Sequence, residues 1–441
     1  MNGLTPSRLV KTSAAVALLT LLAVAAWLLR EAVLPPQEME PSVTMDANGA
    51  ELKERGAYLV RAGNCMACHS ARGGQPFAGG RGIDTPFGTV YSSNLTPDHG
   101  TGLGNWSSSD FWRALHHGRS KDGRLLYPAF PYTNYTQVTR ADADAMFAYL
   151  QSLQAVAAPT PAHTLSWPFN TQAALSAWRA LYFSPGVFVP ESAQSPEWNR
   201  GAYLVRGLGH CAACHSARDA LGGSRPLDLA GGLIPMQNWY APSLSSNAEA
   251  GVADWPVADI VALLKTGSTP RASVLGPMAE VVLHSTQHMS DADLQAMAVF
   301  LKALPQTRES APELTAASRG GAKPLAQAAS ATARAGGKLY ETQCAQCHGE
   351  RGEGVPGAYP ALAGNRAVTL ASPANLVQIV LNGGYAPATA GNPRPYGMPP
   401  FLLMLNDNET AQLLTFLRSA WGNSAAEVTP LDVNRARNLP H

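Results

Sequence analysis

Charge is scarce in this chain. Asp, Glu, Lys and Arg make up 14% of its 441 residues, against roughly a quarter in an average soluble protein. The two signs nearly cancel, to a formal net charge of +1. There is no basic excess to hold nucleic acid and nothing in the balance that selects an acidic surface. So little charge fits an alanine- and glycine-rich composition. It fits equally a chain whose faces turn toward a cofactor, neighbouring domains, a partner subunit or a membrane. Also missing is a Gly-x-Gly-x-x-Gly opening a βα unit, so flavin or nicotinamide binding is not expected. Cysteine is scarcer still: six residues, with none left over outside a single pattern.

That pattern is Cys-x-x-Cys-His, and it occurs three times: Cys65-Met66-Ala67-Cys68-His69, Cys211-Ala212-Ala213-Cys214-His215 and Cys344-Ala345-Gln346-Cys347-His348. It is the attachment signature of c-type haem. The two thiols add to the porphyrin vinyl groups and the histidine becomes the proximal iron ligand. A zinc site would want paired Cys-x-x-Cys units closing a tetrahedron, and three isolated units cannot pair evenly. A thioredoxin-like dithiol would sit in a βαβ context, which the pattern of the chain does not offer. The expectation is three covalently bound haem c groups, held by Cys65, Cys68, Cys211, Cys214, Cys344 and Cys347, with His69, His215 and His348 on iron.

The motifs lie in repeats. Arg55-Gly56-Ala57-Tyr58-Leu59-Val60-Arg61 precedes the first, and Arg200-Gly201-Ala202-Tyr203-Leu204-Val205-Arg206 precedes the second. Each then runs to a tryptophan, Trp106 or Trp255, and a helix-like stretch. An amphipathic segment closes each, 141–153 with Ala145, Met146, Tyr149 and Leu150, and 291–304 with Leu294, Met297, Ala298 and Leu301, at helical spacing. The third repeat is more divergent, with Gly336-Gly337-Lys338-Leu339-Tyr340 before its motif and a closing helix over 409–420. The layout predicts an all-α fold of three tandem class I cytochrome c-like domains, at 46–158, 198–305 and 335–424. Residues 159–197, rich in proline and aromatics, read as a linker that packs against something. Residues 306–334 read as a flexible tether and 425–441 as a tail.

A methionine opposite the histidine would raise the haem potential and suit electron transfer. Met278, in Leu275-Gly276-Pro277-Met278, and Met398, in Tyr396-Gly397-Met398-Pro399-Pro400, are the expected sixth ligands of the second and third haems. Neighbouring prolines are expected to hold both loops extended and away from helix. Met289 and Met404 are rivals that lie closer to the closing helices. The first repeat departs. Aligning Gly118 with Gly267 puts Phe130 opposite Met278, and phenylalanine cannot ligate iron. His116, His117, Met146 and His163 remain as substitutes without positional support. The two adjacent histidines are expected to be partly exposed and to act as a favourable helix C-terminal charge.

At the N-terminus, Arg8 and Lys11 precede an apolar run from Ser13 to Leu29, followed by Arg30, Glu31 and Pro35-Pro36. Residues 1–35 read as a membrane anchor, or as a cleaved signal segment with Ala23-Val24-Ala25 at the cut. The run is at the short edge of the ~20 residues a spanning helix needs. Either reading places the body on the periplasmic side of the inner membrane, where haem c is attached.

With these residues in view, the chain resembles the triheme cytochrome c subunits of membrane-bound bacterial dehydrogenases over essentially its whole length after the N-terminal segment. Arg-Gly-Ala-Tyr-Leu-Val in both early repeats carries the likeness, with Ser93-Asn94-Leu95-Thr96-Pro97, Gly102-x-Gly104-x-Trp106 and Lys121-Asp122-Gly123-Arg124. Gly276-Pro277-Met278-Ala279-Glu280-Val281-Val282 and Tyr396-Gly397-Met398-Pro399 add to it. That family serves quinoprotein alcohol dehydrogenase, flavoprotein gluconate dehydrogenase and molybdenum hydroxylases acting on aldehydes or N-heterocycles. The resemblance implies an electron relay without substrate chemistry of its own. It would run from a catalytic subunit, with a possible small iron–sulfur subunit, to ubiquinone or a terminal oxidase. Pro128-Ala129-Phe130-Pro131-Tyr132 replaces the Pro-Ala-Met-Pro-Tyr of the alcohol dehydrogenase branch. Together with residues 388–395 it looks more like the molybdenum-hydroxylase branch. Two other readings stand beside the relay: a peroxidase-like enzyme using an open first haem, or the cytochrome subunit of a terminal oxidase.

Overall fold

The computed structural model describes residues 49–224, 228–269, 271–306 and 330–437. The N-terminal apolar segment and residues 307–329 of the expected tether lie outside the described residues, and the end of that tether, from Ala331, is helical. Among those described, no helix is long and apolar enough to cross a membrane.

The architecture is mostly helical and is organised by one crossing made three times. In the first repeat, helix α1 (Gly49–Ala62) enters the first attachment turn. A hairpin of β1 (Gly82–Thr85) and β2 (Gly88–Tyr91) follows, then α2 (Ser108–His117) and α3 (Arg140–Leu150). Ser107 and Asp110 form a capping box at the start of α2, and Thr139 caps α3; these side chains satisfy backbone N–H groups the helix leaves open. Helix α1 crosses α3 at Gly56, where a Cβ would stand 2.0 Å from the Ala145 carbonyl oxygen. Only glycine permits that approach.

The residues expected to link the first two repeats are more ordered than their composition suggested. They contain α4 (Gln172–Tyr182), capped by Thr171. Trp178 donates to the Leu221 carbonyl at 3.0 Å and the Tyr182 hydroxyl to Asp219 at 2.7 Å. With Arg179 donating to the His117 carbonyl at 2.7 Å, the segment packs on both neighbours, as its aromatics implied, but as a helix whose Leu175, Trp178 and Tyr182 fall on one side.

The second repeat opens with α5 (Pro196–Ala202), which widens into a π turn over Tyr203–Leu208. The chain has one residue more between Arg200 and Cys211 than between Arg55 and Cys65. A π turn absorbs one inserted residue without breaking the helix. A hairpin of β3 (Gly232–Ile234) and β4 (Trp239–Ala241), then α6 (Val257–Thr266), α7 (Pro277–His284) and α8 (Asp291–Lys302) complete it. Gly201 meets the Ala296 carbonyl as Gly56 meets Ala145, again at 2.0 Å for an added Cβ.

The third repeat consists of α9 (Ala331–Gln343), α10 (Ala374–Asn382), the short pair β5 (Gly384–Tyr385) and β6 (Gly397–Met398), and α11 (Asp407–Ser419). Gly336 crosses at Gln412, with 1.9 Å for an added Cβ. The expected tail is not one. Residues Pro430–Arg437 form α12, whose Val433 and Ala436 are buried in the core of this repeat. Arg437 pairs with Asp407 at 2.7 Å. With so few apolar residues, the segment has too weak a periodicity to read as helix.

Candidate haem sites

Each attachment motif ends in one short helical turn, over Cys65–Cys68, Ala212–His215 and Ala345–His348. All six cysteines are free. Burial pushes the thiols of Cys65 and Cys211 up to about 12 and that of Cys344 up to about 11, each helped by the second cysteine of its motif. A dithiol redox centre needs the opposite, a thiol shifted down toward the thiolate. These cysteines suit covalent capture of a group rather than thiol exchange.

The histidines are set in one geometry three times. His69 Nδ1 lies 2.7 Å from the Ser93 carbonyl, His215 Nδ1 2.7 Å from that of Pro242, and His348 Nδ1 3.0 Å from that of Pro360. A carbonyl only accepts, so Nδ1 carries the hydrogen and Nε2 keeps its lone pair for a metal. Burial also holds all three imidazoles below their ordinary pKa, against the opposing backbone hydrogen bond. Neutral imidazole, oriented by a carbonyl behind it, is the form that binds iron.

The loop after each histidine closes in the same way. The N–H groups of Gly79, Gly231 and Gly354 donate to the carbonyls of His69, His215 and His348, each at 2.8 Å. All three glycines have left-handed φ, and an added Cβ would stand 2.5–2.6 Å from the backbone of Ser93, Ser243 or Tyr359. These glycines and the three carbonyl partners were not singled out from sequence. A glycine shortly after each motif was the available signal. The residues present thus fit a haem attached through the thiols with an imidazole on iron.

Met278 and Met398 come in on different elements. Met398 lies on β6, in the extended backbone expected of it. Met278 does not lie in an extended loop. Pro277 sits in the first turn of α7, where its missing N–H costs nothing and its fixed φ favours helix. Met278 packs half-buried against the core shared by the first two repeats. Met289 is buried, and Met404 is 61% exposed.

The histidines at the end of α2 were expected to be partly exposed and positively charged; His117 is half-buried, but His116 is buried and the charge is disfavoured. His116 is buried, stacks on Trp112 at 4.5 Å and places Nδ1 2.7 Å from the Thr136 carbonyl. His117 is pushed down to about 4, first by burial and then by the nearby charges of His116 and Arg179. Arg179 of α4 donates to the His117 carbonyl at 2.7 Å and covers this helix end, and desolvation outweighs any attraction to the helix terminus.

The first two sites also touch each other. Asp142, at the start of α3, accepts from Arg55 of its own repeat at 2.5 Å and from the Tyr203 hydroxyl of the other at 2.5 Å. Asp293, at the start of α8, accepts from Arg200 at 2.7 Å and from Tyr58 at 2.6 Å. The arrangement is reciprocal, as in a twofold pair. The segments leading into the two attachment turns lie inside it. Tyr135 donates to the Gly63 carbonyl at 2.8 Å, Ser285 to Ala62 at 3.0 Å and Asn134 to Arg206 at 2.8 Å.

Comparison with known proteins agrees with this geometry. A cytochrome c family model matches residues 53–154 and 333–421. The chain is 40% identical to the cytochrome c subunit of a quinone alcohol dehydrogenase from Gluconobacter oxydans, over 89% of this chain and 83% of the relative. It is 38% identical to the cytochrome c subunit of gluconate 2-dehydrogenase from Pantoea cypripedii, over 89% and 90%. It is 37% identical to a nicotinate dehydrogenase subunit from Pseudomonas putida, over 87% of this chain but 32% of that longer protein.

Proposed function

Because the chain belongs to the family of cytochrome c subunits of dehydrogenases, we propose that it is the three-haem relay of such a complex. It takes electrons singly from a separate catalytic subunit and passes them to ubiquinone or another respiratory acceptor, on the periplasmic face of the inner membrane. The observation that carries this reading is the threefold recurrence of one site: free thiols on a helical turn, a carbonyl-oriented neutral imidazole and a glycine-closed loop. Haem c, when attached, supplies the one-electron redox chemistry.

The residues of the chain hold and orient it. Two cysteines would fix each of the three macrocycles, and Ser93, Pro242 and Pro360 aim the imidazoles through their carbonyls. Met278 and Met398 serve as sixth ligands of the second and third haems. The Arg55–Asp142–Tyr203 and Arg200–Asp293–Tyr58 contacts keep the first two attachment turns together. Three tandem cytochrome c domains, at 46–158, 198–305 and 335–424, make up the body, and residues 1–35 anchor or export it.

The catalytic partner is favoured to be of the molybdenum hydroxylase type, with quinoprotein or flavoprotein dehydrogenases next. The preference rests on Pro128–Tyr132 and on residues 388–395. Purification of the tagged chain in mild detergent, with cofactor analysis of what accompanies it, tests the proposal. A molybdopterin protein with iron–sulfur centres supports both relay and partner type. A quinoprotein or flavoprotein supports the relay alone. Isolation without any dehydrogenase, with haem and anchor retained, contradicts it.

A further inference from the structure

The sixth coordination position separates the first repeat from the other two. After α2, α6 and α10 the chain turns at a left-handed glycine: Gly118, Gly267 or Gly383. It then enters the loop that brings in the methionine of the second and third repeats. In the first two repeats that loop begins with the same backbone hydrogen bond. Leu126 N–H donates to Gly118 O at 2.8 Å, and Val274 N–H to Gly267 O at 2.9 Å. This bond sets the register despite the extra residue in the first loop. Counting from it, Phe130 stands where Met278 stands. The shared bond places the extra residue of the first loop before Leu126.

A phenyl ring has no lone pair for iron. Phe130 is half-buried and packs on Tyr135, with ring centroids 5.4 Å apart. The Tyr135 hydroxyl is committed to the carbonyl of Gly63, just before the first attachment turn. The pair therefore forms an apolar wall braced against that turn. The other groups considered as ligands have neighbours of their own, His117 among them, its ring set edge-on to that of His116 at 4.5 Å. His116 Nδ1 faces the Thr136 carbonyl under the Trp112 ring. His163 Nδ1 accepts the Tyr91 N–H at 3.1 Å, and its ring meets Tyr127. Met146 is fully buried within α3.

We propose that no side chain among the described residues is the sixth ligand of the first haem's iron and that this face, walled by Phe130 and Tyr135, binds a small neutral diatomic molecule of the carbon monoxide or nitric oxide class. The ligand donates its lone pair to ferrous iron, and no bond breaks. An apolar wall offers no polar group to polarise a peroxide bond, so ligand binding without peroxide turnover is expected.

The inference rests on the haem attachment proposed above, and intact mass tests that separately: fewer than three covalent haems would defeat the attachment reading, not this one. The experiment is titration of the dithionite-reduced, full-length holoprotein with carbon monoxide. It is paired with quantification of the sulfur-to-iron charge-transfer band of the ferric form. The expected result is one carbon monoxide per chain and a band from two irons. Phe130→Met should abolish carbon monoxide binding and raise the band to three irons. Met278→Phe, the mirror variant, should add a second binding site and lower the band to one. Wild-type binding of none or of more than one, a wild-type band from three irons, or Phe130→Met protein that still binds one equivalent would overturn the proposal.

Discussion

The first two repeats and the third share a helix crossing and an attachment site, yet they are built into the molecule differently. The first two have a single hydrophobic core, running from Leu59 through Leu301. The third has its own, from Tyr340 to Ala436. The difference traces to two positions. Where the first repeats carry Arg55 and Tyr58, or Arg200 and Tyr203, the third carries Ala335 and Lys338. It has neither the guanidinium to fix an aspartate nor the phenol to reach a neighbour's. It docks instead on β4 and the loop before α6. Asn375 exchanges two 2.7 Å hydrogen bonds with the backbone of Tyr240, and Arg366 reaches Gly251 and Asp254. A repeat can thus keep its cofactor site while its pairing face is lost, so site and assembly are specified by separate residues.

The contrast predicts two unfolding transitions, one for the first pair and one for the third repeat. The largest effect should come from the glycine crossings. Gly56→Val or Gly201→Val drives a side chain into a carbonyl and should destabilise the paired transition by at least about 3 kcal/mol. Gly336→Val should do the same to the third repeat alone. Calorimetry of the holoprotein distinguishes these, and a single transition lowered equally by all three would break the comparison.

Next in size is the clasp. Tyr58→Phe with Tyr203→Phe removes two hydrogen bonds to charged carboxylates, each contributing roughly 1.5–3 kcal/mol. The paired transition should fall and broaden while the third repeat melts unchanged. Either tyrosine alone should give about half the effect.

Acid should act on the pair through His117. Its folded pKa of about 4 lies below the ordinary imidazole value near 6.5. Between those values the unfolded chain binds a proton that the folded chain does not. Stability is therefore full above about pH 6.5 and declines as the pH falls to about 4. The loss is roughly 2 kcal/mol once partial exposure is discounted. His117→Asn should flatten this slope, read from paired-transition midpoints across the window.

The smallest effect belongs to the docking of the third repeat. Arg366→Ala removes a half-exposed ion pair with Asp254, so a shift of about 0.5–1 kcal/mol is expected, confined to the third transition.

Much of this was legible in the sequence because haem attachment is local: three Cys-x-x-Cys-His motifs and the repeated Arg-Gly-Ala-Tyr-Leu-Val carry it. The closing helices came out within a few residues of their observed bounds, since each shows an apolar stripe after a polar cap. The carbonyl behind each histidine did not come out, because any residue supplies a carbonyl and the partner lies on a distant loop. The clasp was half visible. Arg and Tyr recur at matching places, but a repeat shows what recurs and not what it touches. Residues 430–437 failed to read as helix for want of an apolar stripe; residues 172–182 carry one in Leu175, Trp178 and Tyr182, but it was masked by the prolines and aromatics around it. His116 and His117 were misjudged because nothing local signals that Thr136 and Arg179, both distant in the chain, close over that helix end.

The central claim is three haem c groups on one chain, and intact mass of the purified holoprotein tests it most directly. Read beside thiol alkylation, the account predicts the added mass of three haems and no alkylatable cysteine. Cys65→Ala/Cys68→Ala, Cys211→Ala/Cys214→Ala and Cys344→Ala/Cys347→Ala should each remove one haem. Two haems with one reactive pair of thiols in the wild-type chain would contradict it.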